Sequence, residues 1–350
     1  MTWPMCRLGD VVTLQRGHDL PDAQRKDGDV PVVSSSGITG WHSEPKGRAP
    51  GVVTGRYGTL GEVFYLEQDY WPLNTALYVT DFKGNHPRFV AYFLRNALAN
   101  YQSDKAAVPG INRNVLHELK VRRPSVSAQA GIVEVLGAYD DLIENNRRRM
   151  ALLEEAARQL YREWFVRLRF PGHEHVRVVN SVPEGWKKAR LGECATLNYG
   201  KALKAEVRVG GEVPVYGSSG IVGSHDKALT KAPGIVLGRK GNVGSVYWCQ
   251  SDYWPIDTVY FVDSETSNLW LFYALRSMHF MSTDVAVPGL NRDFAYSRTL
   301  VVPDRRFVRL FLDAVEPMHE QIAKLAEAND KLRAARDLLL PRLMSGAIPV

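Results

Sequence analysis

Two seven-residue loops hold the residues best suited to meeting an anionic polymer. Gly55-Arg56-Tyr57-Gly58-Thr59-Leu60-Gly61 and Gly238-Arg239-Lys240-Gly241-Asn242-Val243-Gly244 share three glycines and one arginine at equal spacing. Glycines let a backbone approach a partner closely, and a guanidinium offers a fork of donors that matches a phosphate or a base edge. The turns Ser35-Ser36-Gly37 and Ser218-Ser219-Gly220 add hydroxyls that serve the same acceptors and donors. Asn112-Arg113 and Asn291-Arg292 follow a Pro-Gly pair, in loops just ahead of short helices. The candidate nucleic-acid contacts are therefore Ser35, Ser36, Arg56, Tyr57, Thr59, Asn112 and Arg113, with Ser218, Ser219, Arg239, Lys240, Asn242, Asn291 and Arg292. A tight β-turn with an exposed arginine is the structural alternative for the glycine loops. Asp69-Tyr70-Trp71-Pro72 and Asp252-Tyr253-Trp254-Pro255 read instead as structural aromatic corners.

Equipment for covalent chemistry is missing from the sequence. The glycine loops have the spacing G-x-x-G-x-x-G and run into strands, unlike a dinucleotide fingerprint; no phosphate-binding G-x-x-x-x-G-K-[ST] loop occurs. The tetrapeptide N/D-P-P-Y/F of adenine methyltransferases is absent, since Asp-Tyr-Trp-Pro has the wrong order. His173 and His175 lack a third ligand nearby and read as linker, so no metal site is expected. The three cysteines, Cys6, Cys194 and Cys249, are widely separated and point to free thiols in a reducing cytoplasm, with Cys6 and Cys194 expected to be buried. No apolar run is long enough for a membrane span, and the N-terminus has no apolar signal core. The net charge of +6 suits nucleic acid without requiring it.

The elements that must position these residues are written twice. Residues 30–79 match residues 213–262 without a gap at about half of the positions, at a constant offset of 183. Trp3, Arg7-Leu8-Gly9 and Gly17 extend the match to Trp186, Arg190-Leu191-Gly192 and Gly200; Val108 to Arg113 recur as Val287 to Arg292 at offset 179. Within the first copy, strands are expected around Val11–Leu14, Val30–Val33, Gly51–Thr54, Val63–Leu66 and Leu77–Thr80, and a helix over Pro87–Ala99. Pro31 favours an edge position for its strand.

Each copy leads into a long helix. Ile132, Tyr139, Asn146, Leu153 and Leu160 recur every seven residues in the first; Ile322, Asn329 and Leu343 keep the same period in the second. A seven-residue period means helix packed on helix in coiled-coil fashion, and a polar residue in such a seam fixes register. Asn146 and Asn329 are expected to lie near one another and set that register. Arg147-Arg148-Arg149 reads as a solvated face, and Trp164-Phe165 as the anchor of the helix end. A short helix over Arg305–Val315 is expected before Pro317 starts the closing one.

On these residues the chain resembles the DNA-specificity subunit of type I restriction–modification systems. The resemblance covers essentially the whole chain. It is carried most specifically by Ile143-Glu144-Asn145-Asn146-Arg147-Arg148, Tyr161-Arg162-Glu163-Trp164-Phe165 and Arg336 to Gly346. It implies an α+β protein in which two similar target-recognition domains are separated by two long antiparallel coiled-coil helices, with a pseudo-two-fold internal repeat. The expected boundaries are 1–125 and 182–305 for the recognition domains, 126–168 and 306–350 for the helices, and 169–181 for a linker. It further implies a non-catalytic subunit that reads a split double-stranded DNA target and docks two methyltransferase subunits, with restriction subunits joining them. The subunit itself needs no cofactor; its partners are expected to use S-adenosylmethionine, ATP and magnesium. Because the two copies are alike, the target is expected to be partly palindromic. Positions where the loops differ, Val33/Tyr216, Ser34/Gly217, Tyr57/Lys240 and Thr59/Asn242, are the candidate discriminators. A non-DNA interaction protein and a stand-alone methyltransferase are the alternatives.

Overall fold

A computed structural model describes residues 3–56, 62–99, 112–208, 210–278, 280 and 289–350. The chain divides into two compact units. Unit 1 is 1–145 with 328–350, and unit 2 is the continuous stretch 146–327.

Unit 1 holds β1 (Met5–Arg7), β2 (Thr13–Arg16), β3 (Val30–Ser34), β4 (Gly37–His42), β5 (Gly51–Gly55), β6 (Val63–Leu66), β7 (Trp71–Pro72) and β8 (Ala76–Asp81). These are followed by α1 (Pro87–Leu98), α2 (Arg113–Glu118), β9 (Lys120–Arg122) and the first part of α3 (Val126–Tyr161). The main sheet has the order β2-β8-β5-β6, a smaller one β4-β3-β7, and β1 pairs with β9. All five residues of β5 are buried, as suits a strand flanked on both edges and covered on both faces. The expected strands and helix are present, with the first strand shifted from Val11–Leu14 to Thr13–Arg16. β4 was not expected, and it makes β3 central instead of an edge. Pro31 is tolerated there because β7 pairs only with Val32 and Val33, leaving no partner beside the missing N–H.

The start of α1 is fixed locally: Pro87 opens the helix, and His86 Nδ1 accepts the Arg88 N–H at 3.2 Å. Its inner face joins Leu8, Leu14, Val52, Leu77 and Leu116 in one core, to which α3 adds Ile132 and Leu136. The chain end adds Leu340, Leu343 and Met344 to that core. Each such side chain fully removed from water contributes roughly 1.5–3 kcal/mol.

Unit 2 repeats this plan. It contains β10 (Val178–Val179), β11 (Val182–Pro183), β12 (Lys187–Arg190), α4 (Leu191–Cys194), β13 (Asn198–Tyr199), β14 (Val213–Gly217), β15 (Gly220–His225) and β16 (Gly234–Gly238). There follow β17 (Val246–Cys249), β18 (Trp254–Pro255), β19 (Val259–Val262), α5 (Leu269–Ser277), α6 (Arg292–Ser297), β20 (Thr299–Val302) and the first part of α7 (Arg305–Ser345). The sheets β13-β19-β16-β17 and β15-β14-β18 match those of unit 1 strand for strand, and β12 pairs with β20. The core is aromatic: Phe165, Phe170, Trp186, Trp270, Tyr273, Phe307 and Phe311 are all buried together. Phe165 thus anchors the end of the first long helix, within a π turn over Arg162–Val166.

The two long helices pack together, antiparallel within each unit. In unit 1 the Asn329 amide donates to the Ile143 carbonyl at 3.2 Å, and Arg336 reaches Asp140 at 2.5 Å. In unit 2 Tyr161 and Trp164 meet the ring of Phe311. Asn146 and Asn329 are both buried. The closing helix corrects the sequence reading, because α7 runs unbroken from Arg305 through Pro317 and Pro341 to Ser345. An interior proline costs about 3 kcal/mol. Buried Phe307, Phe311 and Val315 before Pro317, and Leu325 after it, hold both sides of that position to the helical path. The thiols differ from expectation as well: Cys249 is buried, whereas Cys6 and Cys194 are half-buried.

The aromatic corners are structural. Tyr70 and Tyr253 are buried. Asp69 accepts the Ala49 N–H at 2.9 Å and Asp252 the Ala232 N–H at 3.0 Å, and each also pairs with a cation, Arg48 or Lys231. These hydrogen bonds hold both carboxyls below the usual aspartate range.

Candidate nucleic-acid interface

In unit 2 the predicted residues converge. Ser218 and Ser219 form the two-residue turn of the β14–β15 hairpin, with Gly220 at φ 100°, a left-handed conformation that favours glycine. The loop from Gly238 to Ser245 folds back over that turn. Ser245 Oγ donates to the Ser218 carbonyl at 2.6 Å, Tyr247 Oη donates to the same oxygen at 3.2 Å, and the Asn242 N–H reaches Ser218 Oγ at 3.4 Å. Gly241 and Gly244 have φ of 77° and 81°, so the loop needs glycine at both places.

A third segment is stitched to the same loop. Lys240 and Gly289 form an antiparallel bridge, and the Leu290 N–H donates to the Arg239 carbonyl at 2.8 Å. The N–H groups of Arg239 and Lys240 both donate to the Thr258 carbonyl, at 2.9 and 3.0 Å. Asn291 caps α6, its side-chain oxygen accepting the N–H groups of Asp293 and Phe294 at 2.8 and 3.1 Å. That gives Asn291 a structural task the sequence reading did not assign, and it fixes the direction in which Arg292 leaves the helix start.

The guanidinium groups are held by aromatic rings. Arg239 lies over Tyr199 at 5.0 Å and over Tyr260 at 5.7 Å; Arg292 lies over the same Tyr199 ring at 4.9 Å and over Tyr296 at 5.9 Å. Arg239 also donates to the Asp257 carbonyl at 3.2 Å. Tyr199 is half exposed, while Tyr260 is buried and donates to the Leu290 carbonyl at 2.9 Å. Burial, and then its hydrogen bond with Tyr199, pushes the Tyr260 phenol up. Lys240, Asn242 and Ser219 are exposed beside this cluster. A surface of fixed guanidiniums, an open aromatic face and exposed amide and hydroxyl groups can contact phosphates and base edges. Among the described residues no group of acids, histidines and cysteines could hold a metal ion.

Unit 1 presents the corresponding parts. Ser35 and Ser36 form the turn of the β3–β4 hairpin, where the Ser36 N–H donates to Ser34 Oγ at 3.1 Å. The Arg56 N–H donates to the Thr75 carbonyl at 3.0 Å, just as Arg239 does to Thr258. Asn112 caps α2 by accepting the Asn114 N–H at 3.0 Å, and Arg113 is exposed at the helix start. Tyr57 and Thr59 lie outside the described residues.

Tyr199 was missed by sequence reasoning. The only signal for it was its place in the repeat, where the first copy has Arg16 before the matched glycine.

Comparison with known proteins agrees over most of the chain. A family model described as type I restriction modification DNA specificity domain matches residues 1–155 and 183–293. The specificity subunit of the MjaIX type I restriction enzyme of Methanocaldococcus jannaschii is 22% identical over 293 residues, covering 74% of this chain and 68% of that one. The specificity subunit of the EcoprrI type I enzyme of Escherichia coli is 25% identical over 141 residues, 39% of this chain and 35% of that one. A crystal structure of the S subunit of a type I restriction–modification system from M. genitalium superposes with a TM-score of 0.59 at 16% identity, covering 98% of this chain and 96% of that chain. That likeness supports the fold.

Proposed function

The chain belongs to the type I restriction–modification DNA specificity family, and from that membership we propose that its two units each read one half of a split DNA target. It is a non-catalytic specificity subunit, one part of a type I complex with other subunits. In this reading the paired helices α3 and α7 act as a spacer, with Asn146 and Asn329 setting their register. The same helices dock two adenine methyltransferase subunits, and restriction subunits join that assembly. S-adenosylmethionine, ATP and magnesium serve those partners. Extrusion of the target base also falls to the methyltransferases.

The observation that supports this reading best is the convergence of Ser218, Arg239, Asn242 and Arg292 on one face of unit 2. Lysines and arginines on phosphates position such a complex; side chains in the major groove read the bases.

The test is a DNA titration of the subunit assembled with its methyltransferase partners, at one fixed moderate salt concentration. Arg239→Ala should weaken binding of a cognate duplex about tenfold or more, in line with loss of a base contact of roughly 1–3 kcal/mol. Unchanged affinity would remove Arg239 from the interface. A wild-type complex with equal affinity for every duplex would sink the DNA-reading assignment itself.

A further inference from the structure

We propose that Tyr199 is a positioning residue that holds Arg239 and Arg292 of unit 2 as a guanine-reading pair. The inference rests on the DNA-reading assignment above and names what unit 2 reads. One half-exposed ring lies about 5 Å from two guanidinium groups, at 5.0 and 4.9 Å. A planar cation on an aromatic face keeps its in-plane donors directed outward while losing most of its rotational freedom. The two arginines come from segments joined by the Lys240–Gly289 bridge and by the Leu290 N–H to Arg239 carbonyl bond, so their backbones are also fixed relative to each other. The Arg292 Nε is buried and makes no hydrogen bond among the described residues. Two guanidiniums fixed in this way suit the O6 and N7 acceptors of guanine in the major groove, the commonest specific arginine contact with DNA. Less ordering is then required on binding than for free arginine side chains.

Unit 1 is built differently at this point. Tyr199 pairs across the sheet with Tyr260; the equivalent pair in unit 1 is Arg16 with Leu77. Arg16 is exposed, so the place that holds a ring in unit 2 holds a cation in unit 1. The two units therefore share the hairpin turn but differ in the residue that faces the sheet partner at this place. The partial palindrome expected from the repeat should break at the base pairs met by this cluster.

The experiment selects duplexes from a pool with both half-sites randomised, using the full chain assembled with its methyltransferase subunits, and sequences what is bound. Wild type should choose guanine at one or two positions of one half-site. Tyr199→Ala and Arg292→Lys should each reduce that choice about tenfold, with the other half-site unchanged, and Tyr199→Phe should keep the wild-type preference. Arg292→Lys retains charge at the surface, so it tests the fork even where Tyr199→Ala disturbs folding. Three results would overturn the proposal: unaltered preference in Tyr199→Ala, equal weakening on every sequence, or a change confined to A·T pairs. A wild-type pool without any selected sequence would count against DNA reading as a whole, and so is distinguishable from failure at Tyr199.

Discussion

His319 shows how one buried side chain ties stability to pH. It lies on α7 with its Nε2 2.8 Å from Tyr273 Oη, and the rings of Trp248, Phe272 and Tyr273 surround it. Burial lowers its pKa from 6.5 to about 4; Glu154 opposes that shift, and Arg276 adds to it. The folded chain therefore keeps His319 neutral, sharing a hydrogen bond with the tyrosine hydroxyl. Between pH 6.5 and about 4 the unfolded chain binds more protons than the folded one, so stability falls as pH drops through that window. The effect is roughly 3 kcal/mol at most. The equivalent position in unit 1 is Leu136, which is fully buried. Replacing His319 with leucine should flatten the fall in unfolding midpoint between pH 7 and pH 4.5. Equal falls in wild type and variant would show that this side chain does not set the pH response.

The strands were the most legible elements, because short apolar runs bounded by glycines survive in both copies. What escaped had physical causes. β4 reads Gly-Ile-Thr-Gly-Trp-His and leaves Ile38 and Trp41 exposed, so it carries no buried alternation to detect. The unbroken α7 was hidden by Pro317, whose local cost is outweighed only by packing that the sequence does not display. The same limit applies to the candidate site. The glycine loops and the Asn-Arg pairs were visible as repeated motifs, whereas the Tyr199 platform exists only once β13 pairs with β19. The close packing at the corners makes a separate prediction at this scale. A methyl group on Gly51 would overlap the ring of Tyr70, and one on Gly234 would overlap the Tyr253 hydroxyl. Gly51→Ala and Gly234→Ala should each cost roughly 1–3 kcal/mol or more. Gly210→Ala, which meets nothing within 4 Å, should leave thermal unfolding unchanged. Wild-type melting of both corner variants would contradict this packing account.

At the scale of the molecule, each unit is assembled from long-helix segments that are far apart in sequence. Unit 2 is continuous, from 146 to 327, but unit 1 draws on 1–145 and 328–350. The last of these segments supplies Leu340, Leu343 and Met344 to the core of unit 1. Chains emerge from the ribosome in one direction, and domains generally fold as units, the N-terminal one first. Here that order is reversed: the unit that begins the chain has an open core until residues 328–350 are made, after unit 2 is complete. Nascent chains halted at residue 327 should resist brief proteolysis across 146–327 and be cut within 1–145. Equal protection of both regions would mean that the closing segment is dispensable. Protection confined to 146–327 would mean that synthesis commits unit 2 first and holds the hydrophobic core of unit 1 open the longest, making unit 1 the natural client of a chaperone.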